Sequence, residues 1–179
     1  MEERIIEIYA TGEKMEFIKT RKDTDGQFLE FIQTLPNKRG GFIPEHIHLD
    51  IDETFVILEG KATYSINGVE HAAEAGETIS IPAKTPHINP YNREENRQLV
   101  LRRTLTPELG TEHFYRKQYQ LANAHKLNEK SQFGKIQLAV IAKHTASKTY
   151  FTNTPKWFQF LNYRVIGTFG ELIGYTHKL

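Results

Sequence analysis

Cysteine is absent from the 179 residues, and Trp and Met are scarce, at 1 and 2. Without thiols there can be no disulfide scaffold, thiolate zinc site, iron–sulfur cluster or cysteine nucleophile. An excess of either charge is also lacking: 23 Lys and Arg stand against 22 Asp and Glu, a formal net charge of +1. Nothing electrostatic therefore argues for nucleic acid as the main partner. Long apolar runs are missing too. The chain opens MEERIIEIYATGEKMEF, charged from its second residue, and its most apolar late stretch, Trp157 to Tyr175, is broken by Arg164 and Glu171. Neither segment has the pattern of a signal peptide or a bilayer-spanning helix, so the expectation is a cytoplasmic protein without a membrane partner.

What is present suits a globular chain. Charged residues make up 25% and aromatics 11%, ordinary for a globular protein, and 179 residues suffice for one domain, or one with an appendage, to bury a core. Strand and turn signals crowd residues 17–106. Phe28 to Leu35 is a β-rich run ending at the turn Leu35-Pro36-Asn37, and Thr54 to Leu58 is a short apolar strand closed by Glu59-Gly60. Ala62, Tyr64 and Ile66 alternate with Thr63 and Ser65 before Asn67-Gly68, a strong hairpin signal. Thr78 to Ile81 and Gln98 to Thr104 read as further strands. Many short strands with Gly and Pro between them indicate an all-β barrel or sandwich. Residues 1–24 are expected to add edge strands to a barrel spanning 25–106.

From Pro107 to residue 179 the texture becomes that of a helical extension. Ser131 to Lys143 has helical spacing, and Thr154-Pro155 offers an N-cap and first turn for a second helix. There Trp157, Phe160, Leu161, Val165, Thr168, Phe169 and Leu172 recur at three and four, as in an amphipathic helix. Gly167, Gly170 and Gly174 within it predict close backbone packing or a helix end. The stripe is more apolar than one barrel flank needs, so the tail is expected at a subunit interface.

With no thiols, any metal site must use His and carboxylates, and 8 His are available. His46 and His48 lie two apart, so on an extended chain both leave the same face. Glu53 follows the turn Leu49-Asp50-Ile51-Asp52, and an antiparallel return would bring its carboxylate beside the two imidazoles. His87 follows a strand and the turn Pro82-Ala83-Lys84-Thr85-Pro86. Imidazole and carboxylate ligands suit Fe, Mn, Ni, Zn or Cu in the divalent state, and spacing does not choose among them. His71, His113, His125, His144 and His177 read as solvated or hydrogen-bonded residues.

The frame around these four resembles the two motifs of the cupin superfamily, G-x5-H-x-H-x3,4-E-x6-G and G-x5-P-x-G-x2-H-x3-N. Gly40, His46, His48, Glu53 and Gly60 meet every position of the first; Gly76, Pro82 and His87 meet the main positions of the second. Lys84 stands where the second motif has Gly, and Tyr91 where it has Asn. A Gly at such a turn supplies positive φ, which Lys reaches with strain of about 1 kcal/mol.

The resemblance implies a mainly β, cupin-type barrel (a jelly roll) holding one divalent metal, Fe, Zn, Ni or Mn, on His46, His48, Glu53 and His87. It also implies a frequent homodimer. The period of two then turns Phe55 and Ile57 inward with Glu53, and Asn89 and Tyr91 inward with His87, beside Tyr64 of the hairpin. These five are the candidate walls of a small-molecule cavity. Parity on 28–35 and 98–104 is ambiguous, which leaves Glu30, Gln33, Arg102 and Arg103 unassigned. Open metal positions would suit a dioxygenase acting on an enol or diketone-like chelator, a Lewis-acid isomerase or lyase, or a non-catalytic ligand-binding or sensing module. No separate catalytic base stands out beyond Glu53, were it to leave the metal.

Overall fold

A computed structural model describes residues 3–36, 43–124 and 132–177. Gly40, Asn37, His125 and Ser131 of the sequence reading lie outside these residues. In chain order the elements are β1 (Ile5–Ile8), β2 (Glu13–Lys19), α1 (Arg21–Thr24), β3 (Leu29–Leu35), β4 (His46–His48), β5 (Asp52–Glu59), β6 (Lys61–Ile66), β7 (Val69–Glu74), β8 (Thr78–Ile81), β9 (His87–Asn92), β10 (Leu99–Thr106), α2 (Thr111–Asn123), α3 (Gln132–His144), β11 (Thr149–Phe151) and α4 (Lys156–Leu172). The strands form two antiparallel sheets, ordered β1-β2-β3-β10-β5-β8 and β11-β4-β9-β6-β7. Strands β1 and β2 stand at one end of the first sheet, β1 at its edge.

Strand alternation places the core between the sheets. Phe55, Ile57, Leu99, Leu101, Ile79 and Ile81 of the first sheet meet Ala62 and Ala73 of the second, with Tyr64 and Ile66 packed against them. The Asn67-Gly68 signal is realised as a two-residue loop in which Ile66 faces Val69 and both loop residues have positive φ (51° and 78°), as a type I′ turn requires. At the β8–β9 turn Lys84 has φ 68°, so the glycine conformation is kept with a Lys in it. Its N–H donates to the His48 carbonyl (2.6 Å), tying that turn to β4.

The tail is not only helical. Helix α2, absent from the sequence reading, covers β1–β3: its Tyr115 and Tyr119 join Met15, Phe17, Leu29, Phe31, Ile51 and Leu105 in a second buried cluster. The buried Glu108 carboxylate starts this helix by accepting from the Gly110 and Glu112 N–H groups (2.9 and 2.8 Å). Strand β11 pairs with β4, so residues past 107 also complete the second sheet.

Helix α4 begins one residue later than Thr154 predicts. Pro155 takes the N-cap position with no side-chain cap, and the Thr154 hydroxyl bonds to Asn153 Oδ1 instead (3.1 Å). The helix packs on α3 through its glycines: a Cβ at Gly170 would lie 2.6 Å from Val140 Cγ2, and one at Gly167 would lie 2.9 Å from the Ala139 carbonyl oxygen. Gly174, with φ 97°, follows the helix end. Glu171 locks the pair, accepting from Lys143 Nζ (2.5 Å) and from His144 Nε2, whose ring stacks on His177 (centroids 3.6 Å apart). His144 is thus an exposed ring that is hydrogen-bonded to Glu171 and stacked on His177, within the solvated or hydrogen-bonded reading of the sequence.

Two substitutions test this packing. Gly170→Ala should lower stability by about 1–2 kcal/mol in chemical denaturation, although Ala is the better helix former by about 1 kcal/mol, because Val140 and Ile136 are stiff at χ1. A gain would contradict the close approach. Lys84→Gly should raise stability by about 1 kcal/mol, with folding otherwise unchanged, by relieving the left-handed backbone. A loss would mean that the Lys84 side chain matters to the fold.

Candidate metal centre

The two sheets bring four sequence-distant ligand candidates together. His46 and His48 leave β4 on one face, and His46 is the cross-strand partner of His87 on β9. Glu53 approaches from β5 of the opposite sheet. One ligand atom from each of the four lies within 4.8 Å of the others, and all four residues are buried. Ring centroids are 4.4 Å apart for His46 and His87, 4.9 Å for His46 and His48, and 5.4 Å for His48 and His87.

Each imidazole is oriented through its Nδ1. His46 Nδ1 lies 2.9 Å from the Pro44 carbonyl and His87 Nδ1 lies 2.8 Å from the Thr85 carbonyl. A carbonyl only accepts, so both Nδ1 atoms carry hydrogen, and in a neutral ring Nε2 is a bare lone pair. His48 Nδ1 meets the Thr149 hydroxyl at 2.7 Å, and that hydroxyl lies 3.1 Å from Ser147 Oγ. His48 Nε2 is buried with no hydrogen-bond partner among the described residues. Burial, with the neighbouring rings, lowers the His46 pKa to about 3. Burial also lowers His48, to about 4, against the pull of Glu53. Both rings are thus neutral at neutral pH, the form that binds metals.

The carboxylate is prepared as firmly. Burial alone would raise the Glu53 pKa, but the Arg103 guanidinium and the His87 ring outweigh it and hold the group well below the usual carboxylate range. Arg103 Nη2 donates to Glu53 Oε1, while Glu53 Oε2 lies 3.0 Å from His87 Nε2. Convergent bare Nε2 atoms, an orphaned one on His48 and an ionised carboxylate are a donor set that a divalent cation satisfies. The residues present fit the metal that the motifs imply.

The other cavity candidates divide. Asn89 sits in the cluster: in the amide orientation that suits its neighbours, its nitrogen lies 3.1 Å from both Glu53 Oε2 and His87 Nε2, and its oxygen accepts from Arg103 Nη2 at 3.0 Å. Phe55 and Ile57 face inward with Glu53 and are packed in the core. Tyr64 is half-buried and stacks on His71, with centroids 5.2 Å apart. Tyr91 departs from its expected direction. A register shift between β6 and β9 leaves Ser65 opposite Ile88 but Thr63 opposite Tyr91, so one extra residue, in the Asn89-Pro90 stretch, interrupts the alternation. Tyr91 therefore shares the face of Thr63, and Asn92 takes the inward side opposite Ala62.

Three residues of the site were not assigned from sequence. Arg103 is buried, with its guanidinium carbon 5.0 Å from the centroid of Phe55, 5.7 Å from Tyr115 and 6.0 Å from Phe31. A signal for it existed: it shares parity with Leu99, Leu101 and Leu105, the apolar side of β10. Tyr115 and Thr149 come from α2 and β11, and no local pattern marks either.

Comparison with known proteins follows the same stretch. A family model described as a cupin domain matches residues 34–101. Quercetin 2,3-dioxygenase of Bacillus subtilis (strain 168) is 26% identical over 99 residues, 55% of this chain and 28% of the relative, so this chain spans about a quarter of that protein's length. Similar solved structures include a predicted oxalate decarboxylase from Thermotoga maritima (18% identity, 53% of this chain and 80% of that one, TM-score 0.46). A cupin-superfamily sugar phosphate isomerase from Silicibacter pomeroyi is 19% identical (53% and 59%, TM-score 0.45). An RmlC-like cupin from Shewanella frigidimarina NCIMB 400 is 18% identical (57% and 82%, TM-score 0.45). The cupin domain match, residues 34–101, takes in the strands that carry His46, His48, Glu53 and His87.

Proposed function

We propose that His46, His48, Glu53 and His87 bind one divalent metal ion and that the protein is a dioxygenase acting on a small, chelating, enol-type molecule. The observation that carries the metal assignment is the anchoring of all three Nδ1 atoms, which leaves the Nε2 atoms converging beside an ionised carboxylate. The partial similarity to a quercetin 2,3-dioxygenase supports the reaction class.

Such a metal supplies a Lewis-acid centre for a chelating ligand and, if it is iron, a redox partner for dioxygen. The chain's own part is positional. Pro44, Thr85 and Thr149 hold the rings in register, and Arg103 keeps Glu53 ionised and restrained. The Asn89 amide bridges Glu53, His87 and Arg103. The hold of Arg103 also argues against Glu53 leaving to act as a base, and burial raises the Tyr115 phenol pKa, keeping it protonated. Isomerisation and elimination need a proton acceptor, which places an isomerase or lyase behind oxygen chemistry. A ligand-binding or sensing role requires the same metal and no turnover.

Elemental analysis should find about one equivalent of metal in the purified protein and none in His46→Ala/His48→Ala. Folded wild type that takes up no metal on reconstitution would remove the reading. Substrate-dependent oxygen uptake, lost in His48→Ala with the fold retained, would establish the dioxygenase. Ligand binding without uptake would leave the sensing role.

Arg103→Leu should cost the metal-free protein about 3–5 kcal/mol, because Glu53 then stays buried without its guanidinium. The metal-loaded variant should lose less, since the ion meets the same carboxylate. The drop in Tm on chelation should therefore be larger in the variant than in wild type, and equal drops would contradict the shared role.

A further inference from the structure

Helix α4 presents an apolar face that the other described residues do not cover. Trp157, Phe158, Phe160, Leu161, Val165, Phe169, Leu172 and Ile173 are all exposed, Trp157 at 70% and Leu172 at 81%. All but Phe160 fall within one arc of roughly 160° at 3.6 residues per turn. The helix cannot roll to bury this arc, because Gln159, Gly167 and Gly170 on its other side are already buried, the glycines against α3. Leaving out Phe160 and taking about 150–250 Å² for each side chain, the exposed fractions amount to roughly 800 Å². A solitary domain's largest apolar patch is about 300–600 Å², and one partner of a stable complex contributes about 800 Å².

We propose that this face binds its counterpart on a second copy of the chain, with the two α4 helices antiparallel and a two-fold axis passing beside Val165. The arrangement of the residues supports that occupant. Around Val165 the exposed positions are symmetric: Leu161 and Phe169 lie four residues to either side, Phe158 and Leu172 seven, and Trp157 and Ile173 eight. An antiparallel pair therefore sets Val165 against Val165, Leu161 against Phe169, Phe158 against Leu172 and Trp157 against Ile173. Each unlike pair joins an aromatic to an aliphatic side chain, as an isologous interface permits. Four residues and seven are also the spacings at which helices interdigitate at shallow angles, and with α3 behind each α4 the assembly is a four-helix bundle. A membrane surface fits less well. Interfacial helices place a basic face in water opposite the apolar one, whereas here the opposite side of α4 is packed on α3.

Light scattering at micromolar concentration should give twice the 20.7 kDa chain mass. Val165→Glu, which sets two carboxylates face to face at the axis, should halve the mass while circular dichroism and barrel metal content stay at wild-type levels. The chain has no cysteine, so a single introduced thiol reports register: Val165→Cys should give a covalent dimer under mild oxidation, and Phe158→Cys, facing Leu172, should not. A wild-type monomer would overturn the proposal, as would a dimer unaffected by Val165→Glu, or preferential cross-linking of Phe158→Cys. Co-sedimentation of a monomeric wild type with phosphatidylglycerol vesicles would do the same and assign the face to lipid.

Discussion

Glu53 is 1% exposed between two sheets of apolar side chains, and an ionised carboxylate in that position must be met by opposite charge or hydrogen-bond donors. Arg103 meets it from the neighbouring strand, caught among Phe31, Phe55 and Tyr115 so that its own burial is offset by ring faces as well as by Glu53. On the other side stand three imidazoles whose hydrogens are committed elsewhere. The second sheet thus brings lone pairs and the first brings a charged pair. The gap between them is suited to a cation because the protein has left the donors facing inward.

Both ends of the chain serve that arrangement. β10, which carries Arg103, is held between β3 and β5, and β3 in turn rests on the β1–β2 hairpin. Helix α2 closes the inner face of those strands and delivers Tyr115 to the guanidinium. Strand β11 pairs along β4 and places the Thr149 hydroxyl behind His48. The segment after Pro107 therefore supports His48 as well as extending the second sheet, so loosening it should be felt at the histidine–carboxylate cluster.

Much of this was legible in the residues, for local reasons. Asn67-Gly68 specified its turn because few residue pairs tolerate two positive φ values, and Pro82 ended its strand because it lacks an N–H. The convergence of His46, His48, Glu53 and His87 was legible from the spacing of two and the glycine frame. Gly167 and Gly170 announced a close helix contact that the structure contains. The misses were non-local or hinged on one residue. Tyr91 turned the other way because a single extra residue beside Pro90 resets the alternation, and a proline inside a strand pattern was the available warning. Arg103 was obscured by adjacent Arg102, although its parity with three buried leucines pointed inward. Thr149 stands 101 residues from His48, a separation no window along the chain spans.

The central claim is that the three rings present Nε2 to one metal because their Nδ1 atoms are bound elsewhere. Long-range proton–nitrogen NMR correlation on histidine-labelled, zinc-loaded protein tests it directly, since zinc is diamagnetic and the two ring nitrogens are distinguishable. The account predicts that His46, His48 and His87 each show a protonated Nδ1 and a metal-shifted Nε2, with no such shift in the metal-free protein. Protonated Nε2 atoms in the presence of zinc, or ligation through Nδ1, would contradict it.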